Sequence, residues 1–354
     1  MAGERVLVVG CGGIGGIIAA HLIERGHDIS VLTTNPAIAR ALRERGLEVR
    51  GQRPLRVPAP RVLEAVDDAP APFDVVLLAT QPPDVEQAAR RAAPLVADRG
   101  AWVVLQNGLC EERLAALFGP DRIIGAVVGW GASMIEPGVY DRTSSGGFCL
   151  GRLDGRLDDR TERVARLLEA VGPVARTRNL RGVRWSKLAV NCAISTLGTV
   201  SGQSLGELLG QRIARRLALE TISEVVEVAG REGVRLERLA KTPNVGWLKL
   251  AEPERRARFS PRLVAKHAVL IGVGSRYRRL RSSMLAAIER GRRPAVEFLN
   301  GEVVERADRH GLGVPVNRAA REIVWAIAEG RQRSGRESLL ALYDRTRPLL
   351  EPAR

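Results

Sequence analysis

Short, unbroken apolar runs recur through the first third of the chain, separated by amphipathic stretches. Arg5–Val9 (R-V-L-V-V), Asp28–Thr33 (D-I-S-V-L-T), Asp74–Thr80 (D-V-V-L-L-A-T) and Ala101–Leu105 (A-W-V-V-L) are rich in β-branched residues. A run that is apolar on both faces suits a parallel sheet covered by helices. The stretches between supply those helices: Gly16–Gly26, with Ile17, Ile18, Ala20, Leu22 and Ile23 in apolar positions, and Asp84–Ala93. Arg122–Gly131 and Gly138–Gly151 predict strands of a mixed edge. A helix over Asp158–Val171 and a strand over Pro173–Thr177 close the region. After Arg181 the strand signals stop. Helical patterning takes over in 184–200, 205–231, 236–250, 261–271, 282–291, 295–310 and 317–329. The expectation is an α/β chain with a sheet domain over 1–180 and an all-helical domain over 181–354.

The first strand runs into Gly10-Cys11-Gly12-Gly13-Ile14-Gly15, a G-x-G-x-x-G that opens a helix and is followed by a second strand. In that context the motif is the fingerprint of a Rossmann-type dinucleotide-binding domain. Gly10 permits the tight turn, Gly12 lets a pyrophosphate approach the backbone, and Gly15 lets the helix pack close to the strand. The helix N-terminus then presents amide donors to the phosphates. An NAD site places an acid at the end of the second strand. Here Leu32-Thr33-Thr34-Asn35-Pro36 has none, and Arg40 and Arg43 follow. Hydroxyls, an amide and guanidinium groups suit a 2′-phosphate, so NADPH/NADP is the expected cofactor. Gln106-Asn107-Gly108 ends the fourth apolar run, where open parallel sheets place ligands. Substrate is expected in the cleft between a nucleotide domain and a helical substrate domain.

The chemistry points to one lysine. The 354-residue chain has four, Lys187, Lys241, Lys249 and Lys266, and otherwise carries its positive charge on arginine. Lys187 lies in Trp185-Ser186-Lys187-Leu188-Ala189-Val190-Asn191, inside an apolar helix. Arginine keeps its proton at any working pH, whereas lysine can release and recover one. Asn191 is one turn further and shares its face. The formal charge of +15 invites a nucleic-acid reading, but aromatic residues make up 4% of the chain and no nucleic-acid motif is present. Scattered arginines on solvated helix faces account for the charge, and no nucleic-acid partner is expected. Cys11, Cys110, Cys149 and Cys192 are dispersed, and His21, His27, His267 and His310 make no ligand spacing, so free thiols and no metal are expected. No leader or spanning segment is evident, which implies a cytoplasmic chain with no membrane partner. The arginine-rich stretch 252–281 reads as a surface excursion or an oligomer contact, which leaves a homodimer open.

These pieces together resemble the ketopantoate reductase (2-dehydropantoate 2-reductase) family. The matching segments are G-C-G-G-I-G, Q-N-G at Gln106–Gly108, W-S-K-L-A-V-N-C at Trp185–Cys192, S-S-M-L at Ser282–Leu285, F-L-N-G at Phe298–Gly301 and H-G-L-G-V-P-V-N from His310. They follow family order over nearly the whole chain. The resemblance implies NADPH-dependent reduction of a 2-keto acid to a 2-hydroxy acid. Lys187 matches the general acid, Asn191 and Ser283 substrate-binding residues, Asn107 a cofactor contact, and Ala132 a backbone contact to the cofactor. The departures matter too. The third position of the family's K-x-x-x-N-x-x-x-N is Ser195. Asn35 stands where an arginine often follows the second strand, and Gln81 replaces a lysine usual after the third. The family's T-E-I-D-Y-x-N-G reads Pro294 to Gly301, which puts Ala295 at the active-site glutamate. Glu297, two residues on, faces elsewhere on a helix. An imine- or opine-type reductase on the same fold, and a non-catalytic NADP-binding regulator, are the competing readings.

Overall fold

The protein is described by a computed structural model over residues 4–69, 72–238, 242–256 and 260–350. It divides into two compact units, Met1–Leu180 and Arg181–Arg354. The first begins β1 (Arg5–Val9), α1 (Gly13–Glu24), β2 (Asp28–Leu32), α2 (Pro36–Arg45), β3 (Leu47–Gly51), β4 (Leu55–Val57) and β5 (Arg61–Leu63). It continues β6 (Phe73–Leu78), α3 (Val85–Ala92), β7 (Val96–Val104), α4 (Cys110–Phe118) and β8 (Ile123–Val128). It closes with β9 (Ala132–Glu136), β10 (Val139–Arg142), β11 (Phe148–Gly151), α5 (Asp159–Glu169) and β12 (Val174–Arg176).

Eight strands form the main sheet in the order β12-β11-β8-β7-β6-β1-β2-β5. From β8 to β5 every pair is parallel, while β11 runs antiparallel to β8. Val6, Leu7 and Val8 of β1 are fully buried, as are Val76, Leu77 and Leu78 of β6. Each such side chain contributes about 1.5–3 kcal/mol through burial, which explains why the unbroken apolar runs locate these strands. The chain order reverses between β1 and β6, and ligands of open parallel sheets sit at the carboxyl ends beside such a reversal.

The second sheet differs from expectation. Only β8, β11 and β12 form the mixed edge; β9 and β10 leave it for a separate four-stranded sheet, β4-β3-β10-β9. Its strands are short and one-sided: Leu47 and Val49 are buried, and Arg50 between the latter and Gly51 is exposed. Three to five residues of simple alternation between prolines give little periodic signal.

The second unit holds α6 (Leu180–Ser201), α7 (Leu205–Gly210), α8 (Arg212–Arg231), α9 (Val245–Leu248) and α10 (Glu252–Arg256). It ends with α11 (Pro261–Arg276), α12 (Ser283–Glu289), α13 (Asn300–Arg309), α14 (Pro315–Ala328) and α15 (Arg336–Leu350). No strand occurs among its described residues. Three expected helices are corrected. The 205–231 helix breaks at Gln211, which is extended (φ −88°, ψ 132°). The 236–250 helix shrinks to α9, and its residues 239–241 lie outside the described residues. The 295–310 helix is a 3-10 turn, Ala295–Phe298, followed by α13, with Leu299 non-helical between them. The described part of the arginine-rich stretch lies largely at the surface and is anchored at one point, where Lys266 Nζ binds Glu254 Oε2 and the Lys249 carbonyl oxygen, both at 2.6 Å.

Candidate active site

In the first unit, the parallel strands bring the predicted cofactor residues to one edge. Backbone bonds extend the ladder past the strand ends: Gly10 N donates to Leu32 O, Ala79 N to Val9 O, and Leu105 N to Leu78 O. The Gly10–Gly15 loop, Thr33–Asn35, the Thr80–Gln81 turn and Gln106–Asn107 therefore share the carboxyl side. Gln106 Nε2 donates to the Thr80 carbonyl oxygen at 3.2 Å and ties two of these turns together.

Each glycine of the loop answers a different demand. Gly10 has φ +91°, a conformation that favours glycine. A Cβ on Gly15 would lie 2.0 Å from the Gly10 carbonyl oxygen, so the helix can meet the strand only without one. A Cβ on Gly12 would meet nothing within 4 Å. The loop is closed on the strand side and open above Gly12. No side chain caps the N-terminus of α1, and its first turn has no acid. These features fit a dinucleotide pyrophosphate.

The second sheet braces this loop from behind. A Cβ on Gly13 would lie 3.0 Å from the Ala132 and Ser133 backbone, and one on Gly16 would lie 2.2 Å from the Tyr140 ring. The Tyr140 hydroxyl donates to the Cys11 carbonyl oxygen at 3.1 Å and lies 3.1 Å from Cys11 Sγ. Burial pushes the Cys11 thiol up to about 12, so it stays protonated and unreactive. Tyr140 gave no sequence signal, because its role depends on a contact between residues 129 apart.

At the end of β2, Thr33 is buried and its hydroxyl accepts from Asn35 N. Asn35 Oδ1 caps α2, accepting from Ala37 N and Ile38 N, so that oxygen is engaged by the helix. Arg43 pairs with Glu64 at 2.5 Å. Arg40 is exposed and makes no ion pair among the described residues, while Thr34 and Gln81 are exposed at the same strand ends. Asn107 is exposed in the turn after β7, and its carbonyl oxygen accepts from Cys110 Sγ.

In the second unit, α6 is buried almost all round. Trp185, Leu188, Ala189, Cys192, Ala193 and Leu197 are each at most 1% exposed. Lys187, Val190, Asn191, Ile194 and Ser195 are partly exposed. Their three- and four-residue spacing makes a single open stripe, so Lys187, Asn191 and Ser195 share a face. Asn191 Nδ2 is buried without a hydrogen-bond partner, an amide donor available to a ligand.

The serine pair lies close to this stripe, although through the unnominated member. Ser282 Oγ lies 2.8 Å from Thr199 Oγ1 and donates to the Ser195 carbonyl oxygen, also at 2.8 Å. It also caps α12. Ser283 is exposed in the first turn of α12. Ala295 is half-buried at the start of the 3-10 turn. Glu297 is held by Arg321 at 2.8 and 2.7 Å and by Trp325 Nε1 at 2.5 Å, which fixes it against α14. It does not stand in for a carboxylate at position 295.

Behind the stripe runs a buried polar chain that the sequence reading missed. Thr196 Oγ1 donates to Asn300 Oδ1 (2.5 Å), Asn300 Nδ2 to Asn317 Oδ1 (2.9 Å), and Asn317 Nδ2 to Glu224 Oε2 (2.7 Å). Glu224 also accepts from the amides of Val316 and Asn317 at 2.9 Å. Burial raises its carboxyl to about 7 against those donors. Four elements, α6, α8, α13 and α14, are locked together by this chain. Polar residues at core positions of α8, Thr221, Ser223 and Glu224, were the signal available in the sequence.

Comparison with known proteins gives a consistent result. The model of ketopantoate reductase PanE/ApbA matches residues 6–155, and that of its C-terminal domain matches 179–328. The 2-dehydropantoate 2-reductase of Pyrococcus horikoshii is 25% identical over 94% of this chain and 98% of its own. A PanE/ApbA family ketopantoate reductase from Ralstonia eutropha superposes with a TM-score of 0.77 at 23% identity, covering 93% of this chain and 100% of that one. A D-mandelate dehydrogenase solved with NADH and anilino(oxo)acetate also gives 0.77, at 17% identity over 92% of this chain and 99% of that one.

Proposed function

Because the chain belongs to the ketopantoate reductase family and is an oxidoreductase, we propose that it uses NADPH to reduce the carbonyl of a 2-keto acid to a 2-hydroxy acid. The observation that carries this reading is the open stripe on α6, where Lys187 and the unpartnered Asn191 amide share the exposed face of an otherwise buried helix.

When bound, the reduced dinucleotide supplies a hydride. The Gly10–Gly15 loop would hold its pyrophosphate, and the carboxyl-edge turns at Thr33–Asn35, Gln81 and Asn107 would line the remainder, with the Ala132 backbone beside Gly13. Arg40, which forms no ion pair among the described residues, would take the 2′-phosphate. Reduction builds negative charge on the carbonyl oxygen, so a cation that also carries a transferable proton is needed there. Lys187 Nζ meets both needs and protonates the oxygen. Asn191 Nδ2 donates a hydrogen bond that orients the substrate, while Ser195 and Ser283 shape the end that receives its acid group. With Ala295 in place of a glutamate, the pocket suits a 2-keto acid whose side chain differs from that of ketopantoate. That replacement removes a hydrogen-bonding group, which a substrate hydroxyl would otherwise use.

The test is loss of reduced-nicotinamide absorbance with a panel of 2-keto acids, ketopantoate included, run with NADPH and NADH. Turnover with at least one keto acid is expected, and none across the panel would sink the reading. Arg40→Ala should raise KM for NADPH about tenfold, the worth of a charge-assisted contact, and leave KM for NADH unchanged. An equal change with both cofactors would remove Arg40 from the 2′-phosphate site.

A further inference from the structure

The linker between α11 and α12 reads Tyr277-Arg278-Arg279-Leu280-Arg281-Ser282 and is held in place along its length. Gly206 N donates to Arg278 O at 3.2 Å and Leu205 N to Leu280 O at 2.8 Å, pinning it over the start of α7. Ser282 then fastens it to Thr199 and Ser195 on α6. The approach to α7 is close: a Cβ on Gly206 would come within 2.9 Å of Arg278 Cγ. Three guanidinium groups are thus carried on a fixed backbone around a solvent-open cavity of about 760 Å³, which Ser204, Ser275 and Glu207 also line.

The charge in this cavity is unbalanced. Glu207 is its one acid, and Glu207 Oε2 already accepts from Ser204 N (2.9 Å) and Ser204 Oγ (2.7 Å) in the capping box of α7. Those bonds hold the carboxyl below its ordinary range, with Arg281 and Arg278 adding to the effect. Arg281 has a distant partner, Glu289 at 3.9 Å. Arg278 and Arg279 form no ion pair within 4.0 Å among the described residues. The buried and half-buried arginines of this unit that do meet acids, Arg216 and Arg255 with Glu220, Arg306 with Glu232 and Glu302, and Arg321 with Glu297, show the contacts that this cluster lacks.

We propose that the Arg278–Arg279–Arg281 cavity is a binding site for a compact, multiply charged oxyanion of the phosphate type. Planar guanidinium forks match the oxygens of such an anion in pairs, which a lysine ammonium does not. The Ser275 hydroxyl lines the same cavity and can donate to the anion, whereas that of Ser204 is committed to Glu207. The site is read from this cluster alone and stands whether or not the protein reduces keto acids. Its ligand is either a phosphoryl group at the far end of a substrate or a free phosphate.

Isothermal titration with inorganic pyrophosphate at physiological ionic strength, with saturating NADP present so that the Gly10–Gly15 loop does not take the probe, tests this. Saturable one-to-one binding is expected, weakened about tenfold or more in Arg278→Ala/Arg279→Ala, given that contacts to charged groups are the stronger hydrogen bonds. Arg278→Lys/Arg279→Lys keeps the charge without the forks and should fall between the two. Arg40→Ala, in the other unit, should leave the affinity unchanged. Absence of saturable binding overturns the site, as does binding that survives the double alanine variant or is lost with Arg40→Ala. Where the site stands, the kinetics identify its source: pyrophosphate that raises KM for a keto acid at constant kcat points to the substrate's far end, and pyrophosphate without effect on KM points to a free anion.

Discussion

The glycine loop of the first unit and the α6 stripe of the second are built on opposite principles. At the loop, function comes from side chains that are missing. Gly12 leaves space, Gly15 lets helix meet strand, and the donors are backbone amides. On α6, the proposed chemistry rests on side chains that are present, Lys187 and Asn191, partly exposed along one strip of a helix whose other faces are fixed by packing. A backbone site tolerates sequence drift around it but no added atom within it. A side-chain site tolerates neighbouring volume changes but no loss of its reactive group.

The sharpest way to break this comparison is a pair of substitutions. Lys187→Ala should lower kcat by about 10²–10⁴-fold, the usual worth of a general acid, and leave the NADPH dissociation constant within about twofold. Gly15→Ala places a methyl group 2.0 Å from the Gly10 carbonyl oxygen and should weaken NADPH binding at least about tenfold through the backbone shift it forces. Kinetics and fluorescence titration would read both, with circular dichroism confirming that each variant folds. Normal kcat in Lys187→Ala would remove the assigned proton donor. Normal NADPH affinity in Gly15→Ala would mean that the loop is not the cofactor cradle.

The two sites also differ in what supports them. The α6 stripe rests on the Thr196–Asn300–Asn317–Glu224 chain. Asn317→Ala should destabilise the protein by about 2 kcal/mol, because it leaves the Asn300 amide nitrogen buried without its acceptor and takes one of two donors from Glu224 Oε2, the backbone amide remaining. Urea unfolding would measure this, and a loss under about 1 kcal/mol would show that the chain is not a structural lock. This contrast also explains what the sequence disclosed. The loop and the strands on either side of it were legible because the glycines and both apolar runs lie within residues 5–33. Lys187 stood out because it is chemically anomalous in an arginine-rich chain, while its place on the open face of α6 came from the structure. Asn300 and Asn317 stood in recognised segments, but their bonds to α6 and α8 join residues 93 to 104 apart, which no local pattern encodes. The breaks at Gln211 and Leu299 were missed because apolar periodicity continues across them.

Acid should separate the units further. In the first, burial and the charges of Arg53 and Arg142 lower His21 from 6.5 to about 4, against the bond to Glu24. The unfolded chain therefore binds that proton first, and the stability His21 contributes is present above about 6.5 and lost as pH falls through about 4. At this shift the loss is on the order of 3 kcal/mol. In the second unit, burial and the Arg215, Arg212 and Arg216 charges likewise lower His267 to about 4. Glu224 acts in the opposite direction there. Raised from 4.5 to about 7, it contributes stability that is full below about 4.5 and lost as pH rises through about 7. Hydrogen exchange between pH 6.5 and 4.5 should show the first unit losing protection before the second, and His21→Leu should shrink the difference. Equal loss in both units, or an unchanged slope in His21→Leu, would reject this account.

The smallest expected effect tests whether the loop is as independent of side chains as the comparison makes it. Tyr140 is the exception: its hydroxyl donates to the Cys11 carbonyl oxygen, and its ring fills the space that a Cβ on Gly16 would take. Tyr140→Phe keeps the ring and removes one neutral hydrogen bond, worth about 0.5–1.5 kcal/mol. If the brace serves mainly by volume, the NADPH dissociation constant should rise by no more than about threefold, with an unfolding midpoint close to wild type. A rise beyond about tenfold would show that the hydroxyl sets the Cys11 carbonyl, and with it the path of the loop. Tyr140→Leu separates the two contributions, since it removes both bond and ring. It should cost about 2–4 kcal/mol in stability and weaken NADPH binding more than Tyr140→Phe does. A backbone site in this protein is then held by a side chain from a second sheet, and the division between the two regions is one of degree.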